Sequence, residues 1–323
     1  MTADDTNRRF DVTLAGDANL DILFYGLPEE LPLERELLSS GMAIRIGGSA
    51  AITAHNLAAL GNSVGLITAA ANDDFGALCR AELVRAGVDL SRAVPVAGDQ
   101  TGVTVHLQHT QQRHMLTYPG ATFALAFDDL DLSYLAASRH FHMASYYLQR
   151  ALTSRIPELF AHLKQSGITI SLDPNDDPSH QWDRSILDAL RFVDVLMPNE
   201  REACLMAGEH DPGRAVGMLR ERVPLLVVKR GADGASAYTQ TGAWHWPART
   251  VQVVDAIGAG DSFNAGFLHA WLRGWPIERA LAFANLTGAW STTACGGASA
   301  FREPQSLAAL TAAWAQECGV PAT

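Results

Sequence analysis

The stretch Asp255-Ala-Ile-Gly-Ala-Gly-Asp-Ser-Phe-Asn-Ala-Gly266 carries the strongest indication of fold and chemistry in this sequence. Its glycines at 258 and 260 allow a tight backbone turn directly before a helix, because glycine adopts conformations that other residues avoid. Such a turn points free N–H groups at one place, where the helix dipole adds positive potential. The stretch therefore predicts an anion-binding hole formed by Gly258, Ala259 and Gly260.

Asp261 would lie in the first turn of that helix, beside any phosphate that the hole binds. A carboxylate in this position can accept the proton of an attacking hydroxyl during phosphoryl transfer, which is the role of a general base. An ordinary glycine turn capped by an aspartate has the same spacing. The assignment therefore depends on the motifs in the rest of the chain.

Outward from this stretch, apolar runs alternate with segments of helical periodicity. The runs lie at 12–15, 64–69, 140–144, 168–172, 195–197 and 225–229, and the helical segments include 50–60, 152–165 and 212–222. This alternation is typical of an α/β protein with a mostly parallel sheet covered on both faces. Three successive helices are predicted near the C-terminus, at 261–273, 276–293 and 305–317.

Two segments, about 35–46 and 101–118, interrupt the alternation, and the second is predicted as two strands around a polar turn at 111–113. We expect these segments to form a small β lid over the substrate side of the sheet. No internal repeat or proline-rich linker divides the chain, so residues 1–323 are predicted to form one domain with a lid. The unpaired edges of such a lid predict a homodimer formed through it.

Composition narrows the functional classes. The 24 Lys and Arg against 35 Asp and Glu give 24 − 35 = −11, which disfavours nucleic acid and anionic membranes as partners. The four cysteines have neither disulfide-framework nor zinc spacing. The N-terminus lacks an apolar signal region, and no stretch approaches the roughly 20 apolar residues of a membrane span, so a cytoplasmic location is expected.

Four further motifs offer polar or glycine-rich groups where ligands bind in α/β sheets. Gly47 and Gly48 open a helix and allow close approach of a ligand, although tight packing of a strand on a helix requires the same residues. Asn19 and Asp21 follow the first strand and could hold sugar hydroxyls, or lie in a solvated turn.

The other two motifs also follow strands. Asn199 and Glu202 share a helix face and could orient a hydrated Mg²⁺, or simply cap the helix. Lys229 and Gly231 could face nucleotide phosphates, or close a turn.

On Gly47-Gly48, on Asn199-x-x-Glu202 and on the stretch from Asp255 to Asp261, the chain resembles the ribokinase-like, or PfkB, family of carbohydrate kinases. The resemblance implies a three-layer α/β sandwich with a β lid, MgATP as donor, and transfer of the γ-phosphoryl group to a primary hydroxyl of a small sugar. It implies that Asp261 is the base and that Glu202 holds Mg²⁺ through water.

The resemblance also implies roles for other positions. Asp21 contacts the sugar, Asn285 adjoins the adenine, and Asp255 and Ile257 supply part of a K⁺ site. Ile52 departs from the family pattern, which usually has a sugar-binding Asn here. Either Asn56 compensates for that Asn, or the acceptor differs at that hydroxyl.

Ribose, fructose and a 2-keto-3-deoxy sugar acid are therefore all acceptor candidates. A nucleoside kinase and a non-catalytic metabolite-binding descendant are the alternatives. A dinucleotide-binding dehydrogenase is disfavoured, because no G-x-G-x-x-G follows the first strand, and no Walker-type phosphate loop occurs.

Overall fold

The computed structural model describes residues 8–109 and 113–318, so most of the predicted turn at 111–113 lies outside the described residues. The strands of the described part are β1 (Phe10–Ala15), β2 (Asn19–Tyr25), β3 (Gly41–Gly47), β4 (Val64–Ile67), β5 (Ala69–Ala71), β6 (Val88–Asp89), β7 (Val94–Val96), β8 (Val103–Gln108), β9 (Arg113–Tyr118), β10 (Ser138–Met143), β11 (Thr169–Leu172), β12 (Val195–Leu196), β13 (Leu225–Lys229), β14 (Ala235–Tyr238) and β15 (Ala243–Trp246).

The helices of the described part are α1 (Ser49–Ala59), α2 (Asp74–Arg85), α3 (Leu132–Ala136), α4 (Ile156–Gln165), α5 (Ile186–Ala189), α6 (Glu200–Ala207), α7 (Pro212–Arg220), α8 (Ala259–Leu272), α9 (Ile277–Ser291) and α10 (Pro304–Cys318). None of them is both long and apolar enough to cross a bilayer.

A nine-stranded sheet forms the centre of the molecule, in the order β15-β14-β13-β12-β11-β10-β1-β4-β6. The strands from β6 to β13 pair in parallel, and β14 and β15 add an antiparallel edge. The predicted α/β fold with a mostly parallel central sheet is confirmed. One boundary differs from the prediction, because the run at 64–69 ends its central strand at Ile67 and Ala69 begins a separate two-stranded pair.

Both faces of the central sheet are covered by helices. On β13, Leu226 and Val228 join the buried cluster that includes α4, α6 and α7, whereas Leu225 and Val227 join the cluster that includes α1, α8, α9 and α10. Successive residues of a strand point to opposite faces. The two clusters therefore form the two cores of a three-layer sandwich.

A second, four-stranded sheet has the order β3-β2-β8-β9. The segments that we predicted as a lid supply β3, β8 and β9. The prediction that Asn19 and Asp21 lie in the loop of the first strand was wrong, because both belong to β2, which pairs with β3 and β8. The alternation of Leu20, Ile22 and Phe24 with the residues between them explains this strand.

The two faces of this small sheet have different surroundings. We call inner the face that carries Asp21 and Tyr25, because the Tyr25 hydroxyl lies 3.3 Å from Asp255 Oδ2 in the main body. The outer face carries Met42 and Leu116, which are 57% and 72% exposed. The inner face therefore packs toward the glycine-rich stretch before α8, and the outer face is open to solvent.

Candidate active site

The turn before α8 leaves backbone amides without acceptors. Gly258 caps the helix with φ 69°, a left-handed conformation that favours glycine. Ala259 N donates to Ala256 O and Ser262 N donates to Gly258 O, but the N–H groups of Gly260 and Asp261 have no acceptor among the described residues. The Ala259 amide, which was predicted to belong to the hole, is therefore already used within the turn. The amides of Gly260 and Asp261, at the positive end of the helix dipole, can bind an anion.

The Asp261 side chain is buried at this helix start. Burial raises the pKa of Asp261 to about 8; the Asp173 carboxylate also raises it, and the Lys229 ammonium acts in the opposite direction. A carboxyl whose pKa lies close to neutral pH has the proton affinity expected of a general base.

Lys229 and Asp173 lie next to the amides of α8. Asp173 follows β11, is fully buried, and accepts hydrogen bonds from Lys229 Nζ and Asn264 Nδ2. Asp173 and Glu202 raise the pKa of Lys229 against the lowering effect of burial. A Cβ added to Gly260 would lie 3.6 Å from Lys229 Nζ. The ammonium therefore stands beside the anion hole.

Asp17 is a site residue that the sequence analysis did not select. Its carboxylate accepts hydrogen bonds from Ser49 N at 2.9 Å and Ala50 N at 3.3 Å, at the start of α1. Burial raises the pKa of Asp17. The only local signal is the Gly16-Asp17 turn after β1, and spacing gives no reason to connect it with a helix about 30 residues away. Asp173 was missed because its partners, Lys229 and Asn264, are likewise distant in the sequence.

The paired glycines fit closely around two carboxyl-bearing residues. A Cβ at Gly47 would collide with the Asp21 carboxylate, and a Cβ at Gly48, where φ is 88°, would lie 2.8 Å from the Asp17 carbonyl oxygen. Asp21 Oδ1 lies 3.3 Å from His106 Nε2 on the neighbouring strand. The glycine pair therefore lets Asp21 approach the start of α1.

The predicted compensating role of Asn56 was wrong. Asn56 is fully buried, and its amide nitrogen donates to Ser262 Oγ at 2.9 Å and to Gly297 O at 3.0 Å, while its oxygen lies 2.9 Å from His55 Nδ1. Every polar atom of the side chain is thus used within the protein. Asn56 ties α1 to α8 and has no polar atom left over for a sugar hydroxyl.

Ile52, one turn earlier on α1, packs against the same backbone. A Cβ added to Gly297 would lie 3.0 Å from Ile52 Cγ2, and one added to Gly258 would lie 3.3 Å from Ile52 Cδ1. The aliphatic side chain therefore supports the turn before α8 and offers no hydrogen bond to an acceptor.

Asn199 and Glu202 form a reciprocal helix cap. Glu202 N donates to Asn199 Oδ1 at 2.9 Å, and Asn199 N donates to Glu202 Oε2 at 2.8 Å. Burial, together with the Asp173 carboxylate, raises the pKa of Glu202 to about 7, and the Lys229 ammonium opposes the rise. The interpretation of this pair as a helix cap is therefore correct in geometry. The same arrangement also buries the Glu202 carboxyl group beside Asp173 and Lys229.

Asp255 joins the turn before α8 to the segment after α9. Its carboxylate accepts hydrogen bonds from Ile257 N at 2.9 Å and Gly296 N at 3.1 Å. The Tyr25 hydroxyl contacts both this carboxylate and Cys295 Sγ. Whether Asp255 and Ile257 also bind K⁺ stays a prediction.

A cavity of about 450 Å³ opens beside Lys229 and Gly260. Its wall is largely apolar and includes Val251, Val253, Phe263, Gly288 and Ala289, and Gly231 and Asn285 also line it. The Asn285 amide nitrogen donates to the carbonyl oxygens of Trp246 and Pro247. Its amide oxygen has no hydrogen bond within the described residues and is available to a planar group in this cavity.

Comparison with known proteins gives consistent results. The family model described as pfkB family carbohydrate kinase matches residues 10–304. The chain is 36% identical to an ATP-dependent ribose-1-phosphate kinase of Halopiger xanaduensis, over 79% of this chain and 82% of that protein, and 32% identical to a fructokinase of Salmonella typhimurium, over 92% and 97%. An E. coli protein assigned as a ribokinase II, solved in complex with ATP and Mg²⁺, superposes with a TM-score of 0.83 at 25% identity, covering 95% and 99% of the two chains.

Proposed function

The chain belongs to the pfkB family of carbohydrate kinases, and on that premise we propose that it transfers the γ-phosphoryl group of MgATP to a primary hydroxyl of a small sugar, with Asp261 as the general base. One observation carries the proposal: the unpaired amides of Gly260 and Asp261 adjoin a buried carboxyl whose pKa is raised to about 8. One helix turn thereby carries both the groups that would bind the phosphoryl oxygens and the base that would take the hydroxyl proton.

Each side chain then has a defined task. The acceptor lies between the inner face of the small sheet and α8, where Asp21 holds its hydroxyls and its CH₂OH group faces Asp261. Asp261 takes the hydroxyl proton as the oxygen attacks the phosphorus atom. The amides of Gly260 and Asp261 bind the phosphoryl oxygens, and the Lys229 ammonium offsets the charge that develops there.

ATP fits the cavity beside Gly260. Its base would lie against the apolar wall near Asn285, and its phosphates would point toward Lys229 and the amides of α8. Closure of the small sheet over the acceptor would exclude water and so suppress hydrolysis of ATP. A cytoplasmic location, where ATP is available, is part of the proposal.

The carboxylates at this site suit a hydrated Mg²⁺. Magnesium is usually held through water by one or two carboxylates together with substrate phosphates, and Glu202 and Asp173 are buried close to Lys229. No cluster of three or more His, Cys, Asp or Glu side chains able to hold a metal occurs in the described part of the chain. Bound Mg²⁺ supplies neutralisation of phosphate charge, and Asp255 and Ile257 would bind K⁺.

ADP release tests the proposal. The purified chain should release ADP with MgATP and one member of a panel containing ribose, fructose, ribose 1-phosphate, 2-keto-3-deoxygluconate and adenosine, each tried with and without K⁺. Turnover of adenosine alone would favour the nucleoside kinase. Tight ATP binding with no turnover on a wider panel of sugars would favour the non-catalytic descendant and contradict the proposal.

A further inference from the structure

Three basic side chains lie on the inner face of the small sheet, around Asp21. Arg45 on β3 is the register partner of Asp21. His106 on β8 is two residues beyond the partner of Asp21, and Arg113 on β9 pairs with Gln108 on the same face. Directly paired residues of a sheet share a face. In a chain of net charge −11, the two arginines place positive charge on this face.

Arg45 lacks an acidic partner. Its NH1 group donates to the carbonyl oxygen of Ile44 at 2.8 Å, whereas its Nε is buried without a hydrogen-bond partner. No carboxylate of the described residues lies within ion-pair distance of this guanidinium. A buried donor that is left unpaired is unfavourable, so the position favours an acceptor group that comes from a ligand.

His106 is similarly underused. It is 5% exposed, and neither ring nitrogen forms a hydrogen bond of good geometry in the described structure. Its nearest carboxylate oxygen is Asp21 Oδ1, 3.3 Å from Nε2. Both ring nitrogens are therefore available to a ligand that reaches this face.

The location of Arg45 connects it with the acceptor side of the site. Its stem lies on Gly296, where an added Cβ would approach Arg45 Cγ to 2.8 Å. Gly296 N donates to Asp255, and the next residue, Gly297, packs against Gly258. Arg45 thus lies between Asp21, which we assign to the sugar hydroxyls, and the backbone behind the anion hole.

We propose that the acceptor is an anionic sugar, whose phosphate or carboxylate is bound by Arg45 and His106 at the end remote from the transferred hydroxyl. The inference rests on the kinase function proposed above and names the class of its substrate. A planar guanidinium binds a phosphate or carboxylate with two parallel hydrogen bonds. The contact also replaces binding energy that Ile52 cannot give, because that side chain has no polar group.

The test compares ribose with ribose 1-phosphate, which adds a phosphate to the same sugar, and includes 2-keto-3-deoxygluconate as the carboxylate arm. The wild-type chain should have the higher kcat/KM for one of the two anionic sugars, and the arm that wins identifies the anion. Arg45→Gln keeps the methylene contact with Gly296 and should lower kcat/KM for that sugar about 10- to 100-fold, the range expected for a charged hydrogen bond of roughly 1.5–3 kcal/mol. Turnover of the neutral sugar should change less than about threefold.

Arg35→Gln is the matched control, because Arg35 is an exposed arginine on the segment that leads into β3. It should leave both reactions unchanged. Preference of the wild type for the neutral sugar, or an equal loss with both sugars in Arg45→Gln, would overturn the inference.

Calorimetric binding of the same sugars separates the inference from the kinase proposal. Binding of an anionic sugar that Arg45→Gln weakens, without turnover in the wild type, would retain the anion site and reject the kinase. Absence of any anionic-sugar binding to the wild type would reject the anion site.

Discussion

The Asp261 side chain is buried close to the Asp173 carboxylate and the Lys229 ammonium. The balance between burial and these two charges sets the pKa of Asp261. Burial and Asp173 raise its pKa to about 8, although Lys229 opposes the rise. The carboxyl is therefore mostly protonated at neutral pH in the free protein, and its basic form appears as the pH increases through 8.

The pH profile of kcat/KM follows from this balance. Because the base must be ionised, kcat/KM should increase about tenfold per pH unit below about pH 8 and level off above it. Initial rates between pH 6 and pH 9.5, at low concentration of the acceptor, measure the profile. A rate independent of pH over this range, or a limb with a pKa near 4, would show that the group governing the rate is not the buried Asp261.

Lys229 is the cation shared by three acidic side chains, those of Asp173, Glu202 and Asp261. Lys229→Met removes the charge that compensates Asp173 and Glu202 in the interior, and breaking such a buried pair costs about 3–5 kcal/mol. Urea unfolding at pH 7 measures the resulting decrease in the free energy of unfolding. Because the pKa of Lys229 is raised in the folded state, its stabilisation is complete at this pH and would disappear only in strongly alkaline solution.

Lys164→Met provides the control for this variant. Lys164 Nζ lies 2.8 Å from both oxygens of Asp194, but the two side chains are 34% and 24% exposed. Such a partly exposed pair should contribute about 0–1 kcal/mol. If both variants lost the same free energy of unfolding, the ion pairs of Lys229 would not owe their larger contribution to burial.

At the level of elements, the start of α8 depends on a single backbone conformation. Gly258 has φ 69°, and a Cβ at this position would lie 2.5 Å from Gly297 Cα. Any side chain here must displace the turn or the segment after α9. The free amides of Gly260 and Asp261 would then lose their common direction.

Gly258→Ala should therefore lower kcat by roughly 10²- to 10³-fold, the range seen when an oxyanion-type donor is lost. Gly217→Ala is the matched substitution, since Gly217 lies inside α7 and an added Cβ meets no atom within 4 Å. It should leave kcat unchanged and raise the free energy of unfolding by about 0.4–1 kcal/mol. Similar kinetics for the two variants would contradict the role of the turn.

The elements also show where local sequence was sufficient. The central strands and the helices α1, α7, α8 and α9 lie close to their predicted bounds, because hydrophobic periodicity is a local property. β2 was missed, although Leu20, Ile22 and Phe24 alternate as in a strand. Its partner β8 lies about 80 residues away, and the turn at Gly16-Asp17 suggested a loop.

Across the whole molecule, the sequence predicted the fold and the individual motifs better than the contacts between them. Asp17 and Asp173 follow different strands, and only the parallel sheet brings them to the same edge as Asp261. Asn56 was predicted to contact the ligand because its burial could not be foreseen. That burial results from the packing of α1 against α8, which the spacing of residues does not reveal.

The outer face of the small sheet predicts an association of two copies. Met42, Ile44, Leu116 and Tyr118 are between 37% and 72% exposed on strands at the open edges of this sheet. Exposed apolar patches and unpaired edges favour pairing between chains. We therefore expect a homodimer through this face, and Leu116→Glu should convert it to a monomer in sedimentation experiments. A wild type that is monomeric at about 100 μM would refute this expectation.

The central claim is that Asp261 is the base of a sugar kinase, and Asp261→Asn tests it most directly. The folded variant should bind ATP as the wild type does, and at pH 8 it should be at least as stable, because it carries no buried carboxyl to ionise. Its turnover of the sugar that the wild type phosphorylates should fall about 10²- to 10⁴-fold. A folded, ATP-binding Asp261→Asn protein with near-normal turnover would contradict the account.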